Sequence, residues 1–219
     1  MTADRPDADR PGTGRPSAGR PSAATPKGEQ RRAAVLDAAR HVLVTSGGAE
    51  LTMRAVAQAA GVRLGNLQYY FPSRTELLAA LLDSVLAGAL ERIAGLAPAP
   101  GGGGADPGAA LESVLADHED PDLVRLFTEV WAMAAHDADA AAAVTAFYAA
   151  YADRVATFIR AHAPDTTPEE ARTRAEVFLM LMEGAALFRS GIAGRPAAPT
   201  EARLRRVLLG LLEGRGGMG

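Results

Sequence analysis

The stretch LTMRAVAQAAGVRLGNLQYYFPSRTELL, residues 51–78, contains the most informative local pattern in the chain. Thr52 stands at a candidate N-cap position, and residues 53–60 carry apolar side chains with helical spacing. Gly61 ends this helix, and a second short helix begins near Leu64 after a three-residue turn. Two short helices joined by a tight turn that contains glycine are typical of a helix-turn-helix, whose second helix is shaped to lie in the major groove of DNA.

The second helix ends on three aromatic residues and a proline. At 100° per residue, Leu67 and Phe71 share the inward face one turn apart, so Phe71 is expected to anchor the helix to the core. Tyr69 points away from that face, and Tyr70 lies on its flank. Pro72 ends the helix because the residue before a proline is biased out of the α region. The tyrosines are therefore expected to face a binding partner.

These exposed positions carry the side chains that duplex DNA requires. A tyrosine such as Tyr69 or Tyr70 can donate its hydroxyl to a phosphate and place its ring against a thymine methyl group. Asn66 and Gln68 have the paired donor and acceptor that read adenine. Arg74 lies in the first turn of the next helix, whose N-terminus suits a backbone phosphate. The alternative is an ordinary helical hairpin with partly buried tyrosines, but the register of cap, glycine and proline favours DNA binding.

Composition excludes several classes of site. The 219 residues are 48% hydrophobic and 22% charged and include no cysteine, which excludes disulfides, thiolate metal sites and cysteine nucleophiles. No apolar run approaches the roughly 20 residues of a membrane span, and no apolar signal core follows the N-terminus, so the sequence predicts a cytoplasmic protein. Residues 27–80 carry seven Lys/Arg against four acids, whereas residues 81–219 carry twelve Arg against nineteen acids. A basic head on an acidic body suits a polyanion-binding protein, although random surface variation is the alternative.

The sequence predicts an all-α fold of about nine helices, because convincing strand alternation is not found. Residues 1–26 repeat Arg-Pro with a period of five and are expected to form a disordered arm. Residues 97–108, APAPGGGGADPG, predict a linker. Helix starts are marked by a capping side chain before a proline at Asp106, Asp120 and Thr167. The expected helices span about 28–46, 53–60, 64–71, 74–95, 107–117, 121–136, 139–162, 168–190 and 200–213.

Residues 51–78, together with the preceding EQRRAAVLDAARHVLVTSGGAELT, resemble the DNA-binding signature of TetR-type (tetracycline-repressor-like) transcriptional regulators. The close match covers about residues 28–82. The resemblance implies a DNA-binding domain at 27–74, with the three-helix head's motif at about 52–71, and a ligand-binding and dimerisation domain at 75–219.

The resemblance also implies which positions contact DNA. Gln68 stands where the family usually has Tyr, so a shorter amide there would exchange a phosphate anchor for a base contact. Tyr70 stands where His is common, and Arg74 replaces a phosphate-binding Lys with its charge kept. The implied contact residues are Thr52, Arg54, Arg63, Leu64, Gly65, Asn66, Gln68, Tyr69, Tyr70 and Arg74.

The body carries an aromatic cluster in place of recognisable catalytic or cofactor-binding motifs, so neither enzymatic activity nor a cofactor is expected. Bodies of TetR-type proteins enclose an apolar effector pocket, and the alternative is that these residues are simply core. Glu183 interrupts an apolar helix. It is interpreted either as a polar contact for a ligand or as an acid at the surface or the edge of the helix. His118 and His136, each beside acids, are interpreted as solvated loop histidines more than as metal ligands. The candidate pocket residues are Phe127, Trp131, Phe147, Tyr151, Phe178 and Met182.

The last two helices are apolar on more than one face and contain small residues such as Gly184 and Gly210. By resemblance they form a four-helix bundle with a second copy of the chain. The sequence therefore predicts a homodimeric, ligand-responsive regulator, more specifically a repressor that binds an inverted-repeat operator and leaves it when a small apolar effector binds. The alternative is a helical small-molecule sensor or scaffold that has lost specific DNA binding, with an enzyme as the third reading.

Overall fold

A computed structural model describes residues 25–96 and 104–214 as an all-α structure, as the sequence predicts. Within these residues there are nine α-helices, and each predicted boundary lies within two residues of the observed one. Two 3-10 turns, Gly48–Glu50 and Asp117–Glu119, lie between helices. The helices are α1 (Pro26–Ser46), α2 (Met53–Ala59), α3 (Leu64–Tyr70), α4 (Arg74–Ala94), α5 (Pro107–Ala116), α6 (Pro121–Ala134), α7 (Ala138–His162), α8 (Pro168–Arg189) and α9 (Ala198–Leu212).

Side-chain caps explain why the boundaries were predictable. Asp106, Asp120 and Thr167 each accept a hydrogen bond from a backbone N–H of the first turn, and a proline follows each of them. Thr25 caps α1 in the same way, so α1 begins two residues earlier than expected. The predicted arm lies outside the described residues except for Thr25 and Pro26, which belong to the start of α1.

The head consists of α1, α2 and α3 around a small apolar core. Leu43, Leu51, Val56 and Leu67 are fully buried there. Gly61 turns the chain between α2 and α3 at φ 62°, a left-handed conformation that glycine adopts without steric cost. This turn aligns α3 across the surface of the head.

The head core continues into the body without a break. Helix α4 extends from the head, and its Leu77 and Leu81 pack in the same cluster as Leu126 and Val130 of α6 and Phe147 of α7. A second cluster lies farther from the head, among α5, α7, α8 and α9. Helices α4 and α6 therefore touch both the head and the interior of the body.

No helix among residues 25–96 and 104–214 is both long enough and apolar enough to cross a bilayer.

Candidate nucleic-acid interface and ligand cavity

Helix α3 presents one face to the core and the other to solvent. Leu67 is 0% exposed and Phe71 is 2% exposed, whereas Tyr69 is 51% exposed. The Val62 N–H donates to the Ala57 carbonyl at 2.9 Å, which fixes the turn before the helix. The inward role expected for Phe71 and the outward role expected for Tyr69 are both found, and the Arg32 guanidinium lies 5.1 Å from the Phe71 ring centre.

Most of the proposed DNA-contacting positions lie on one exposed strip that runs from the start of α2 along α3. The Thr52 hydroxyl accepts the Ala55 N–H at 3.1 Å, so it caps α2 as expected. Tyr70 packs partly on the head core and makes an edge-to-face contact with Tyr69, with ring centres 5.3 Å apart. Leu64 is half-buried. The exposed members of the strip are Thr52, Arg54, Arg63, Gly65, Asn66, Gln68 and Tyr69.

Arg74 differs from the other proposed contacts, because its guanidinium is directed into the protein. Its Nε donates to the Leu51 carbonyl at 2.9 Å and its Nη2 to the Gly48 carbonyl at 3.1 Å. Its Nη1 donates to Asp137 Oδ2 at 2.8 Å, at the N-cap of α7. The pKa of Asp137 is lowered chiefly by the backbone N–H groups of Ala140 and Asp139, and to a smaller extent by Arg74. Arg74 thus joins the head to the body.

Helix α6 holds the same corner of the head from the other side. The Glu129 carboxylate accepts the Gly48 N–H at 2.8 Å. A Cβ at Gly48 would collide with the Met133 side chain, so only glycine allows α6 to approach this closely. We call the group of Gly48, Leu51, Arg74, Glu129 and Asp137 the head–body junction.

A cavity of about 750 Å³, counting its open mouth, lies in the body between α4, α6, α7 and α8. Five of the six predicted pocket residues line it: Phe127, Trp131, Phe147, Tyr151 and Met182. Phe178 instead lines a neighbouring cavity, which Tyr151 also touches. The sequence missed the α4 side chains Val85, Leu86 and Ala89, because a leucine-rich helix reads equally well as plain core.

One chain of polar groups enters this apolar cavity. The Trp131 Nε1–H donates to the Tyr148 hydroxyl at 2.9 Å, and Tyr148 is hydrogen-bonded in turn to Glu183. Burial raises the pKa of Glu183 to about 7, with the Tyr148 bond opposing the shift. Burial also raises the pKa values of Tyr148 and Tyr151, so both stay neutral. Glu183 lines the cavity and is half-buried, and its contact with a ligand stays a prediction.

His118 corrects the sequence interpretation, which was wrong to place it in a solvated loop. His118 is 8% exposed and lines the cavity, and its Nδ1 has no hydrogen-bond partner among the residues that the structure describes. Burial, and to a lesser extent the nearby Arg189, lowers its pKa to about 4, so the imidazole is neutral at pH 7.

Asp117, next to His118 in the chain, also lines the cavity, and both its carboxylate oxygens accept hydrogen bonds from Arg92 at 2.7 Å. Among the described residues, no three His, Cys, Asp or Glu side chains converge as a metal site.

The outer faces of α8 and α9 expose large apolar side chains. Val177, Met180 and Phe188 lie along one side of α8, and Met180 is 71% exposed. Val207 of α9 is exposed as well. A helix apolar on both its inner and its outer face has more apolar surface than this chain alone covers.

A head built on a helix-turn-helix, joined to a helical body with a cavity, defines the class of helix-turn-helix DNA-binding proteins with a separate body. Residues 35–81 match the sequence model of "Bacterial regulatory proteins, tetR family". An uncharacterized HTH-type transcriptional regulator from the dhlA 5' region of Xanthobacter autotrophicus is 38% identical over 105 residues. That match covers 46% of this chain and about half, 51%, of the relative.

Several solved structures have a similar fold over most of this chain. GusR of Salmonella enterica matches with a TM-score of 0.67 at 21% identity, covering 88% of this chain and 100% of GusR. A TetR transcription regulator from Haloarcula marismortui matches at 0.61 and 19% identity, covering 85% and 98%. The multidrug binding protein EbrR, solved with ethidium, matches at 0.60 and 26% identity, covering 83% and 98%. The head of this chain is thus that of a TetR-type transcriptional regulator, as its sequence signature indicates, and the described fold is the one that TetR-type regulators share.

Proposed function

We propose that the protein is a homodimeric repressor that binds an inverted-repeat operator and releases it when a small molecule occupies the body cavity. The exposed strip on α2 and α3 carries this proposal, since it presents polar and aromatic side chains over a buried anchor. Its function is binding and not catalysis. A partner that is chromosomal DNA implies a cytoplasmic location.

The strip divides into positioning and reading groups. Arg54 and Arg63 supply positive charge for phosphates on either side of the groove. Asn66 and Gln68 are exposed amides of the type that bonds both N6 and N7 on the major-groove edge of adenine, and the exposed ring of Tyr69 can contact a thymine methyl. Gly65 leaves the groove-facing side of α3 open to close approach, because it has no side chain there.

The apolar outer face of α8 and α9 supports dimerisation. One recognition helix of two turns reads too few base pairs for specificity, so a two-fold pair of heads is needed. A second copy covers Met180, Phe188 and Val207 in a self-complementary contact. In this arrangement the two α3 helices occupy major grooves about 34 Å or somewhat more apart.

The route from cavity to head runs through α4 and α6. Helix α4 contributes Val85 and Leu86 to the cavity and carries Arg74 at its start. Helix α6 contributes Phe127 and Trp131 to the cavity and Glu129 to the head–body junction. An effector that separates these helices shifts the population toward a state with wrongly spaced heads. A difference of ~10²-fold in operator affinity between the states corresponds to about 3 kcal/mol.

Selection of binding sites from random duplex DNA tests the proposal with the purified chain. An enriched inverted repeat is expected, and its half-site spacing measures the distance between the two heads. An N66A variant is expected to lose preference at one base pair of each half-site, whereas T145A, on an exposed part of α7, is expected to select the same repeat. If no sequence is enriched, the DNA-binding proposal fails and the small-molecule sensor becomes the better description. EbrR, named as a multidrug binding protein, supports the presence of a ligand site in either case.

A further inference from the structure

The charged side chains that line the body cavity are all acidic. Asp117 and Glu183 both line it, whereas no lysine or arginine is among the described lining residues. Arg92 neutralises Asp117 through two 2.7 Å contacts. Among the residues that the structure describes, Glu183 forms no ion pair, and its polar neighbours are the Tyr148 and Tyr151 hydroxyls. A buried carboxylate without a cation is costly, and a positively charged ligand would remove that cost.

Aromatic rings surround the same space. Phe127 lies 6.0 Å from Trp131 and 5.6 Å from Phe147, between ring centres, and Phe147 lies 6.0 Å from Tyr151. All four rings line the cavity. The face of an aromatic ring carries negative potential and attracts organic cations, most strongly where water is excluded. The rings and Glu183 thus favour the same sign of charge.

His118 supplies a second polar contact in the cavity. It is more than nine-tenths buried and neutral, and within the described part of the chain its Nδ1 lacks a hydrogen-bond partner. A buried polar atom in this condition is rare in native proteins, and a ligand group or a water molecule normally satisfies it. A ligand seated among the rings can therefore bond at His118 while its charge meets Glu183.

We infer that the cavity takes an amphipathic organic cation, an aromatic or alkyl amine or quaternary ammonium whose charged nitrogen lies at Glu183 among the rings and whose second polar group meets His118. This inference rests on the proposed function and names the chemical class of its effector. It differs from the small apolar effector that the sequence predicts. Anionic ligands are disfavoured by the Glu183 carboxylate and by the ring faces.

Binding of such a cation depends on pH through Glu183. Its pKa of about 7 means that protonation at lower pH removes the charge that the ligand needs. Tyr148 and Tyr151 stay neutral because their pKa values are raised, and His118 gains a proton only near pH 4. The other charged groups nearby are Asp117, whose pKa is raised, Arg92, which pairs with Asp117, and Arg189, which pairs with Glu119 and Glu201. The affinity for a permanent cation is expected to fall toward tenfold per pH unit below pH 7.

Trp131 makes the test direct, because it is the only tryptophan and lines the cavity. Three probes of similar shape are titrated while Trp131 fluorescence is followed: trimethyl(3-phenylpropyl)ammonium, 4-phenylbutan-1-ol and 4-phenylbutanoate. The ammonium is expected to bind about tenfold or more tightly than the alcohol, and the carboxylate more weakly than either. The E183Q variant is expected to lose most of the preference for the ammonium over the alcohol, together with its pH dependence, and to keep only the part that the ring faces supply. D122N is the matched control: it removes one acid from an exposed site on α6 and should keep the preference.

The outcomes separate this inference from the proposed function. Equal binding of the three probes, or an unchanged preference in E183Q, overturns the cation assignment while operator selection still stands. Failure of all three probes to bind overturns it as well. If E183Q does not fold, the pH dependence of ammonium binding to the unaltered protein decides, since an affinity constant between pH 5 and 8 contradicts a role for Glu183. The operator selection described above fails or succeeds independently of every one of these results.

Discussion

Replacing Arg74 by alanine distinguishes two roles for one side chain. The resemblance to TetR-type heads implies a phosphate contact, whereas the structure directs the guanidinium to the Leu51 and Gly48 carbonyls and to Asp137. Each hydrogen bond to a backbone carbonyl contributes about 1 kcal/mol net, so losing two costs about 2 kcal/mol of unfolding free energy. The ion pair with Asp137 adds little, because both side chains are more than a third exposed.

Two measurements on the R74A variant decide between these roles. Urea unfolding followed by circular dichroism is expected to show the loss of about 2 kcal/mol. Fluorescence anisotropy with operator DNA at several salt concentrations is expected to show an unchanged salt slope under conditions where the variant is folded. R125A serves as the matched control, because Arg125 is an exposed arginine of α6 whose one ion pair among the described residues is with its neighbour Asp122. It should unfold like the unaltered protein.

The reasoning is refuted if R74A keeps its stability but loses operator affinity and lowers the salt slope by about 1. That combination would mean that the guanidinium leaves the head–body junction and binds phosphate. An R74K variant sharpens the result, since lysine keeps the charge but cannot reach three separate acceptors as the guanidinium fork does. R74K should restore the affinity for DNA only if the positive charge at this position, and not the geometry of the guanidinium group, is required for binding.

Four further substitutions probe the strip, the head core, the dimer face and the cavity. Y69A should weaken operator binding by ~1–3 kcal/mol with an unchanged unfolding midpoint, and unchanged affinity would remove Tyr69 from the interface. F71A should lower the unfolding free energy by ~3–5 kcal/mol, and intact stability would contradict its buried position. M180D should convert a dimer to a monomer in sedimentation velocity, whereas a persistent dimer would place the interface elsewhere. In the unaltered protein, the folded state holds the proton of Glu183 more tightly than the unfolded state does. The unfolding free energy of that protein therefore falls as pH rises from about 4.5 to 7. E183Q should therefore be up to ~3 kcal/mol more stable at pH 8 and equal at pH 4, and equal stability at pH 8 would mean that Glu183 is not desolvated.

The helices and the orientation of α3 could be predicted because their determinants are local. A capping side chain before a proline fixes the start of α5, α6 and α8 within a few residues of sequence. The positions of Leu67 and Phe71 on one face, and of Tyr69 on the other, follow from helical geometry alone. In these cases the residues that make up the sequence pattern are the same residues that make the structural contacts.

His118 and Arg74 could not be placed from the sequence, because their partners lie far along the chain. His118 stands between two acids in a short polar segment, which indicates a solvated turn. It is buried because the 3-10 turn packs beside the cavity and α8 brings Arg189, 71 positions away, against it. Arg74 likewise meets Asp137, 63 positions away, where no local pattern links them. Long-range polar contacts of this kind need the tertiary arrangement first.

The free energy of the hydrogen bonds in the head–body junction determines how an effector could act through it. The Gly48 N–H to Glu129 bond and the two Arg74 carbonyl bonds together contribute a few kcal/mol, at about 1 kcal/mol each. A ~10²-fold change in operator affinity requires about 3 kcal/mol of coupling. The two energies are alike, so a ligand need only break or re-form these bonds to move the heads, without unfolding either domain. An E129Q variant, which keeps an acceptor for Gly48 but removes the charge, should therefore bind operator normally and respond to the cavity ligand at a shifted concentration. An unchanged response would mean that coupling passes along α4 alone.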